Sequence, residues 1–149
     1  MRRMIPASFM TLMLAAATAG AQAPSPVGLW RTVDDVSGKA TSLIRISEVN
    51  GELQGRIEKL LAPNPRDPNP RCGKCEGERK DQPIVGMLFM AGLKRTSPTE
   101  YGGGEILDPD NGKTYRSKLT LLEGGAKLDV RGYIGVPLLG RSQVWLREQ

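Results

Sequence analysis

Histidine is absent from this chain of 149 residues, and cysteine occurs twice, as Cys72 and Cys75. Without histidine, covalent haem attachment through a Cys-x-x-Cys-His motif is excluded, and so are Ser-His and Cys-His nucleophile pairs. A structural zinc site uses about four cysteine or histidine ligands, so zinc would require a second subunit or unusual carboxylate ligands. The composition therefore assigns no catalytic residue, and we expect no metal site and no cofactor.

Aromatic residues are scarce, at 5% of the chain, and the basic residues are interspersed with acidic ones. Proteins that bind nucleic acids combine clustered basic side chains with aromatic side chains for base stacking. The formal net charge of +5 falls to about +3 if Arg2 and Arg3 are removed with an N-terminal leader. We therefore expect a mixed, solvated surface and no nucleic-acid partner.

Long hydrophobic runs are also missing after the N-terminus, where Arg2 and Arg3 precede an apolar stretch at residues 4–17. This stretch is shorter than the roughly 20 residues of a membrane-spanning helix, and small residues follow it. The pattern predicts a signal peptide over residues 1–21, cleaved near Ala21; cleavage after Ala23 and an uncleaved anchor are the alternatives. We expect a periplasmic or secreted protein without stable membrane insertion, in which residues 22–149 form one domain.

The rest of the sequence alternates between short runs of β-forming residues and turn-forming segments. Asn50-Gly51 is a strong hairpin signal because both residues tolerate positive φ. Residues 84–90 form an apolar run that fits either a buried strand or a short helix. Seven other runs predict strands at 27–33, 41–49, 52–61, 103–107, 114–122, 128–134 and 141–147.

Two kinds of connection stand out between these runs. Prolines crowd residues 62–83, where they would remove the N–H donors of an interior strand, so this segment is predicted to be a long loop. The spacing Asp-x-x-x-Gly-Lys occurs twice, at residues 34–39 and 108–113. In each copy the aspartate can bond the turn backbone and the glycine can adopt the left-handed conformation.

About eight closely spaced strands without an amphipathic helix favour an antiparallel barrel or a sandwich. Gly28-x-Trp30 opens the first strand and Trp145-x-Arg147 closes the last, which resembles the signature of lipocalin-like (calycin) barrels. Because the first and last strands pair in such a barrel, Trp30 can pack under Arg147 as a barrel-closing pair. The predicted fold is an all-β, small antiparallel lipocalin-like barrel preceded by a signal peptide.

Five segments in order resemble an uncharacterised family of exported bacterial proteins catalogued as domain of unknown function 2147. They are GLWRTVDDVSGKATS, NGELQGRIEKL, CGKCEGERKDQPIVG, GGEILDPDNGKTY and LDVRGYIGVPLLGRSQVW, and together they cover about residues 27–147. The resemblance implies a bacterial envelope location and a small lipocalin-like barrel. It implies no established activity, so it assigns no catalytic residues.

Cys72 and Cys75 allow two interpretations. In an oxidising compartment they would form a disulfide that pins the proline-rich loop, and so small a ring contributes about 2 kcal/mol. Alternatively they form a thiol–disulfide exchange centre whose thiol pKa is lowered by neighbouring basic residues. Against this, thioredoxin-like centres begin a helix in a βαβ unit, whereas these cysteines lie in a loop of an all-β chain.

Near the C-terminus, Arg131, Tyr133 and Arg141 flank a glycine-rich segment and could contact an anion or a sugar at the barrel mouth. The alternative is that strand alternation places Arg131 and Tyr133 on the solvent face, opposite Leu128, Val130 and Ile134.

The main hypothesis is an exported, non-enzymatic barrel that binds a small apolar or amphiphilic envelope ligand, or acts as an interaction module. It predicts a connected internal cavity lined by the apolar faces of the strands. The alternatives are a periplasmic redox protein and a carboxylate-dependent hydrolase, which would need two facing carboxyl groups about 5–10 Å apart.

Overall fold

The computed structural model of the protein describes residues 23–148, so the predicted signal peptide and its cleavage site lie outside the described residues. Within them, eight antiparallel strands form a closed barrel in which each strand pairs with the next and the last pairs with the first. This confirms the predicted all-β antiparallel barrel. The strands are β1 Gly28–Val33, β2 Ala40–Val49, β3 Glu52–Leu60, β4 Leu88–Arg95, β5 Glu100–Asp108, β6 Lys113–Leu122, β7 Lys127–Tyr133 and β8 Gly140–Arg147.

Two strands differ from their predicted bounds by more than one residue at an end. The apolar run at 84–90 is a strand from Leu88 onward, while the Met87 N–H donates to the Ile84 carbonyl in a turn before it. β5 begins at Glu100, earlier than predicted, because Tyr101 already pairs with Leu119 and is buried. Glycines at 102–104 concealed this extension, since glycine weakens the pattern of a strand.

The repeated Asp-x-x-x-Gly-Lys segments form the same kind of turn. The Gly38 N–H donates to the Asp34 carbonyl and the Gly112 N–H to the Asp108 carbonyl, each at 2.8 Å. Both glycines have positive φ, 67° and 73°. These turns connect β1 to β2 and β5 to β6 at the same end of the barrel.

The two ends of the barrel differ. One end, which we call the open end, carries the loops at 34–39, 61–87, 109–112 and 134–139. The other, the closed end, carries the short connections at 50–51, 96–99 and 123–126 together with both termini of the described chain. The long loop at 61–87 includes a 3₁₀ turn at Gly77–Arg79 and holds the disulfide.

Large side chains fill the closed half of the barrel. Six of these side chains are at most 2% exposed: Trp30, Ile46, Leu53, Leu93, Leu119 and Leu128. Val130 also faces inward as predicted, but the prediction for Ile134 is wrong, since it is 67% exposed. β7 ends at Tyr133, so strand alternation no longer directs the next side chain inward.

Trp30 and Arg147 lie together at the closed end. The Arg147 guanidinium carbon is 4.3 Å from the centroid of the Trp30 ring, and the Trp30 Nε1–H donates to the Pro26 carbonyl at 2.7 Å. The guanidinium also donates to the carbonyls of Ser25, Val27 and Gly125. It thereby ties the N-terminal segment and the 123–126 connection to the last strand.

Candidate functional site

The open half of the barrel contains a cavity of about 1290 Å³ that extends outward between the loops. Its floor includes Trp145 and Phe89, whose ring centroids are 6.2 Å apart. The cavity begins where the packed core of the closed half ends. The barrel is therefore solid in one half and hollow in the other.

Most of the cavity wall inside the barrel is apolar. Strands contribute inward-facing side chains to it: Ile44, Ile57, Phe89, Ile106, Val130 and Trp145. These surfaces offer dispersion contacts and a favourable exchange of water for an apolar ligand group.

A polar strip interrupts this wall on β1, β2 and β8, and we define it as Thr32, Thr41, Ser42 and Gln143, all of which line the cavity. Thr32 Oγ1 lies 2.7 Å from Thr41 Oγ1 and 2.6 Å from Ser42 Oγ. Gln143 Nε2 donates to the Val33 carbonyl at 3.0 Å, and Gln143 Oε1 accepts from Trp145 Nε1 at 2.8 Å. Polar groups thus lie beside the aromatic floor.

A β-bulge explains how neighbouring residues on β2 join the same strip. Thr32 pairs with Ser42 while Val33 pairs with Ala40, so Thr41 is an extra residue opposite β1. Consecutive residues of a regular strand point to opposite faces, but a bulge re-aims one of them. Both hydroxyls can therefore reach Thr32.

Sequence reasoning missed this strip, although a signal was present. Counting every second residue outward from the two tryptophans gives Thr32 from Trp30 and Gln143 from Trp145. Polar residues at inward positions of otherwise apolar strands indicate either a solvated interior or a binding site. Thr41 could not be predicted by this counting because its place in the strip depends on the bulge.

Charged side chains surround the mouth of the cavity. They are Asp34, Asp67, Arg71, Lys74, Asp108, Asp110 and Arg141. With four acidic and three basic members, the mouth has no strong field of one sign to steer a charged ligand.

Of the three residues predicted to contact a ligand at the barrel mouth, two line the cavity and one does not. Tyr133 and Arg141 both line the mouth, and Arg141 Nη2 donates to Asp35 Oδ2 at 3.1 Å while its side chain remains 82% exposed. Arg131 instead donates to the carbonyls of Pro137, Leu138 and Gly140 and to the Ser142 hydroxyl. Its guanidinium therefore holds the 134–139 loop.

Asp34 stabilises the turn on which it lies. Its Oδ1 accepts the Ser37 N–H at 2.6 Å and the Val36 N–H at 3.2 Å. The hydrogen bond from the Ser37 backbone is the main cause that holds the pKa of this carboxyl below its usual value. A lowered pKa does not suit a general acid, so Asp34 is better described as a turn residue.

Cys72 and Cys75 form a disulfide in the 61–87 loop, and both are buried, at 0% and 2% exposed. Neighbouring basic residues bond the loop backbone: Arg71 Nη1 donates to the Asp81 carbonyl at 3.1 Å, and Lys80 Nζ donates to the Gly73 carbonyl. Thiol–disulfide exchange requires access to a sulfur atom. The buried sulfurs therefore favour a structural role.

Residues 23–148 contain neither a clustered metal site nor a membrane-spanning helix. No group of three or more cysteine, aspartate or glutamate side chains suited to a metal ion is found among them. Nor does this part of the chain contain a helix with the length and apolar character needed to span a membrane.

The fold is similar to that of a solved structure described as "Protein HP1028 from the human pathogen Helicobacter pylori belongs to the lipocalin family", with a TM-score of 0.73. The two share 17% sequence identity, and the match covers 85% of this chain and 84% of that chain. At this identity the similarity shows the fold alone, which is lipocalin-like. No curated protein matches the chain. Residues 28–147 match the family described as "Uncharacterized protein conserved in bacteria (DUF2147)", and the chain belongs to that family.

Proposed function

We propose that this protein is an exported, non-enzymatic carrier that holds one small apolar or amphiphilic molecule in the cavity of its open half. The observation that carries the proposal is the cavity of about 1290 Å³ above the floor of Trp145 and Phe89. Ligand pockets commonly measure roughly 300–1,000 Å³ and combine apolar walls with a few polar groups. The larger value here includes the space between the open-end loops. The part of this cavity inside the barrel has that composition.

Export is proposed on separate grounds. The N-terminal pattern is that of a signal peptide, and the Cys72–Cys75 disulfide is of a kind that persists in oxidising compartments. Protein recovered from a periplasmic extract is expected to lack residues 1–21, which intact mass measurement would establish. A mass that includes those residues would contradict export with cleavage.

Ligand binding can be tested with the uncharged fluorophore N-phenyl-1-naphthylamine. Its emission should rise on entering the cavity, and Trp145 fluorescence should be quenched because Trp145 forms the floor. The test variant is Val130→Phe, because Val130 is 4% exposed and lines the cavity. The added ring occupies ligand space, so we expect affinity to fall about tenfold.

Val144→Phe is the matched control, since Val144 lies on the neighbouring strand and is 40% exposed. It should bind the fluorophore like the unmodified protein. Equal affinities for the two variants would contradict binding inside the barrel, and absence of any binding to the unmodified protein would contradict the proposed function.

A further inference from the structure

The three hydroxyls of the polar strip cannot satisfy one another completely. Thr41, Thr32 and Ser42 form a chain with Thr32 in the middle, and each hydroxyl carries one proton. The two bonds of the chain use two protons, whichever direction the chain runs. One of the three hydroxyls therefore retains a proton that neither bond uses.

The carbonyls near the chain do not absorb this proton well. Thr41 Oγ1 is 3.5 Å from the Thr32 carbonyl and Thr32 Oγ1 is 3.5 Å from the Ser42 carbonyl. Both distances exceed the roughly 2.5–3.0 Å of a good O–H···O hydrogen bond. With the chain running from Thr41 through Thr32, the free donor is the Ser42 hydroxyl, and with the reverse direction it is the Thr41 hydroxyl; both residues line the cavity.

Gln143 adds a second donor to the same strip. The Trp145 indole is a donor only, so the Gln143 atom that receives it must be the carbonyl oxygen, and this fixes the orientation of the amide. Its NH₂ group has two protons, of which one is given to the Val33 carbonyl. Among the described residues, no acceptor takes the second proton.

Charge is confined to the outer part of the cavity. The charged lining residues lie on the open-end loops or at the strand ends that join them, and Arg141, on β8, is already paired with Asp35. Inside the barrel, the lining of strands and strip is uncharged. A carboxylate or phosphate drawn down to the strip would lose water without gaining a counter-charge, which is costly.

From these observations we infer that the ligand is an uncharged amphiphile whose head group accepts hydrogen bonds, such as an ester or an alcohol of an aliphatic chain. The inference rests on the proposed function and specifies its ligand class. The head group accepts from Ser42 and Gln143. The aliphatic chain lies against the apolar wall, which includes Ile57, Ile106 and Val130.

The test is displacement of N-phenyl-1-naphthylamine by three probes built on a ten-carbon chain, used at neutral pH: methyl decanoate, 1-decanol and decanoate. They share an aliphatic chain and differ in the head group. The ester and the alcohol should displace the fluorophore at concentrations about tenfold below that of decanoate. Equal potency of all three, or greater potency of decanoate, would overturn the inference while leaving cavity binding intact.

The variant Ser42→Ala/Gln143→Leu removes both donors, so the potencies of methyl decanoate and 1-decanol should fall about tenfold relative to the unmodified protein. Decanoate should remain the weakest probe, because the carboxylate still loses its water without gaining a counter-charge. Ser42→Ala alone, which removes one hydroxyl, covers the case in which the double variant does not fold and should lower the potency of the ester by a smaller factor. Ser47→Ala, on the outward face of the same strand, should leave the ester potency unchanged. An ester potency that is unchanged in both strip variants would overturn the assignment of the head group to this strip. If the fluorophore itself does not bind the unmodified protein, the proposed function fails and the inference fails with it.

Discussion

A Cβ atom placed on Gly112 would lie 1.9 Å from the carbonyl oxygen of Lys74. The disulfide loop therefore rests directly on the turn between β5 and β6, and backbone meets backbone there. Cys72 Sγ also lies 3.6 Å from the Pro109 carbonyl in the same turn. This contact fixes the loop that forms one side of the cavity mouth.

Gly112→Ala should release the disulfide loop from the barrel. The alanine must adopt a left-handed conformation, which costs about 1–2 kcal/mol, and its methyl group must displace the backbone at Lys74. Hydrogen–deuterium exchange should become faster in residues 72–83, and the disulfide should be reduced more readily by dithiothreitol.

Gly38→Ala provides a matched control for this prediction. Gly38 occupies the equivalent turn position with a similar φ of 67°, but nothing lies within 4 Å of the position that the added methyl group would occupy. It should lower the free energy of unfolding through backbone strain alone and leave exchange in residues 72–83 unchanged. Identical exchange in the two variants would show that the loop does not depend on Gly112.

Arg147→Ala should destabilise the barrel by about 2–4 kcal/mol, measured by urea unfolding. The variant loses the cation–π contact with Trp30 and the hydrogen bonds to three backbone carbonyls. Arg147→Lys should recover part of this loss, since an ammonium group cannot donate to three carbonyls in the same planar arrangement.

Arg45→Ala is the corresponding control, because Arg45 forms an exposed surface pair with Glu58. Such pairs contribute about 0–1 kcal/mol, so its effect should be clearly smaller. A loss at Arg147 no larger than that at Arg45 would mean that the terminal contact does not stabilise the barrel.

Acid should weaken the turn between β1 and β2 through Asp34. Since the pKa of this carboxyl is lowered by folding, its stabilising contribution is present above its usual value and disappears as pH falls through the lowered value. The protection of the Ser37 amide against hydrogen exchange, measured by NMR relative to intrinsic exchange at each pH, should fall over this range. Asp34→Asn keeps an acceptor oxygen without titrating, so it should remove the pH dependence of this protection.

Asp35→Asn is the control for that measurement, because the Asp35 carboxylate faces Arg141 and not the turn backbone. The Ser37 amide should retain its pH dependence in this variant. If the pH dependence persists in Asp34→Asn, another titrating group causes it.

Local sequence features predicted most of the fold because they act over a few residues. Asn50-Gly51 marks a hairpin through its own φ preferences, and the strand at 114–122 shows its alternation directly. The positions of residues 84–87 and of Ile134 were harder to predict. The apolar side chains at 84–87 lie in a turn before β4, and Ile134 lies beyond the end of β7. A hydrophobic residue signals burial in general, but the strand boundary decides whether it faces inward.

The sequence by itself determined the eight short β segments and the repeated turns. It also indicated that Trp30 can pack under Arg147 where the barrel closes, and the absence of histidine excluded catalysis by Ser-His and Cys-His pairs. The tertiary structure decided that one half of the barrel is hollow and that Thr32, Thr41, Ser42 and Gln143 meet on its wall. The reason is that this meeting depends on the pairing of β1 with both β2 and β8 and on the bulge opposite Thr32. The contact between Gln143 and Val33 joins residues more than 100 positions apart, so no local pattern encodes it.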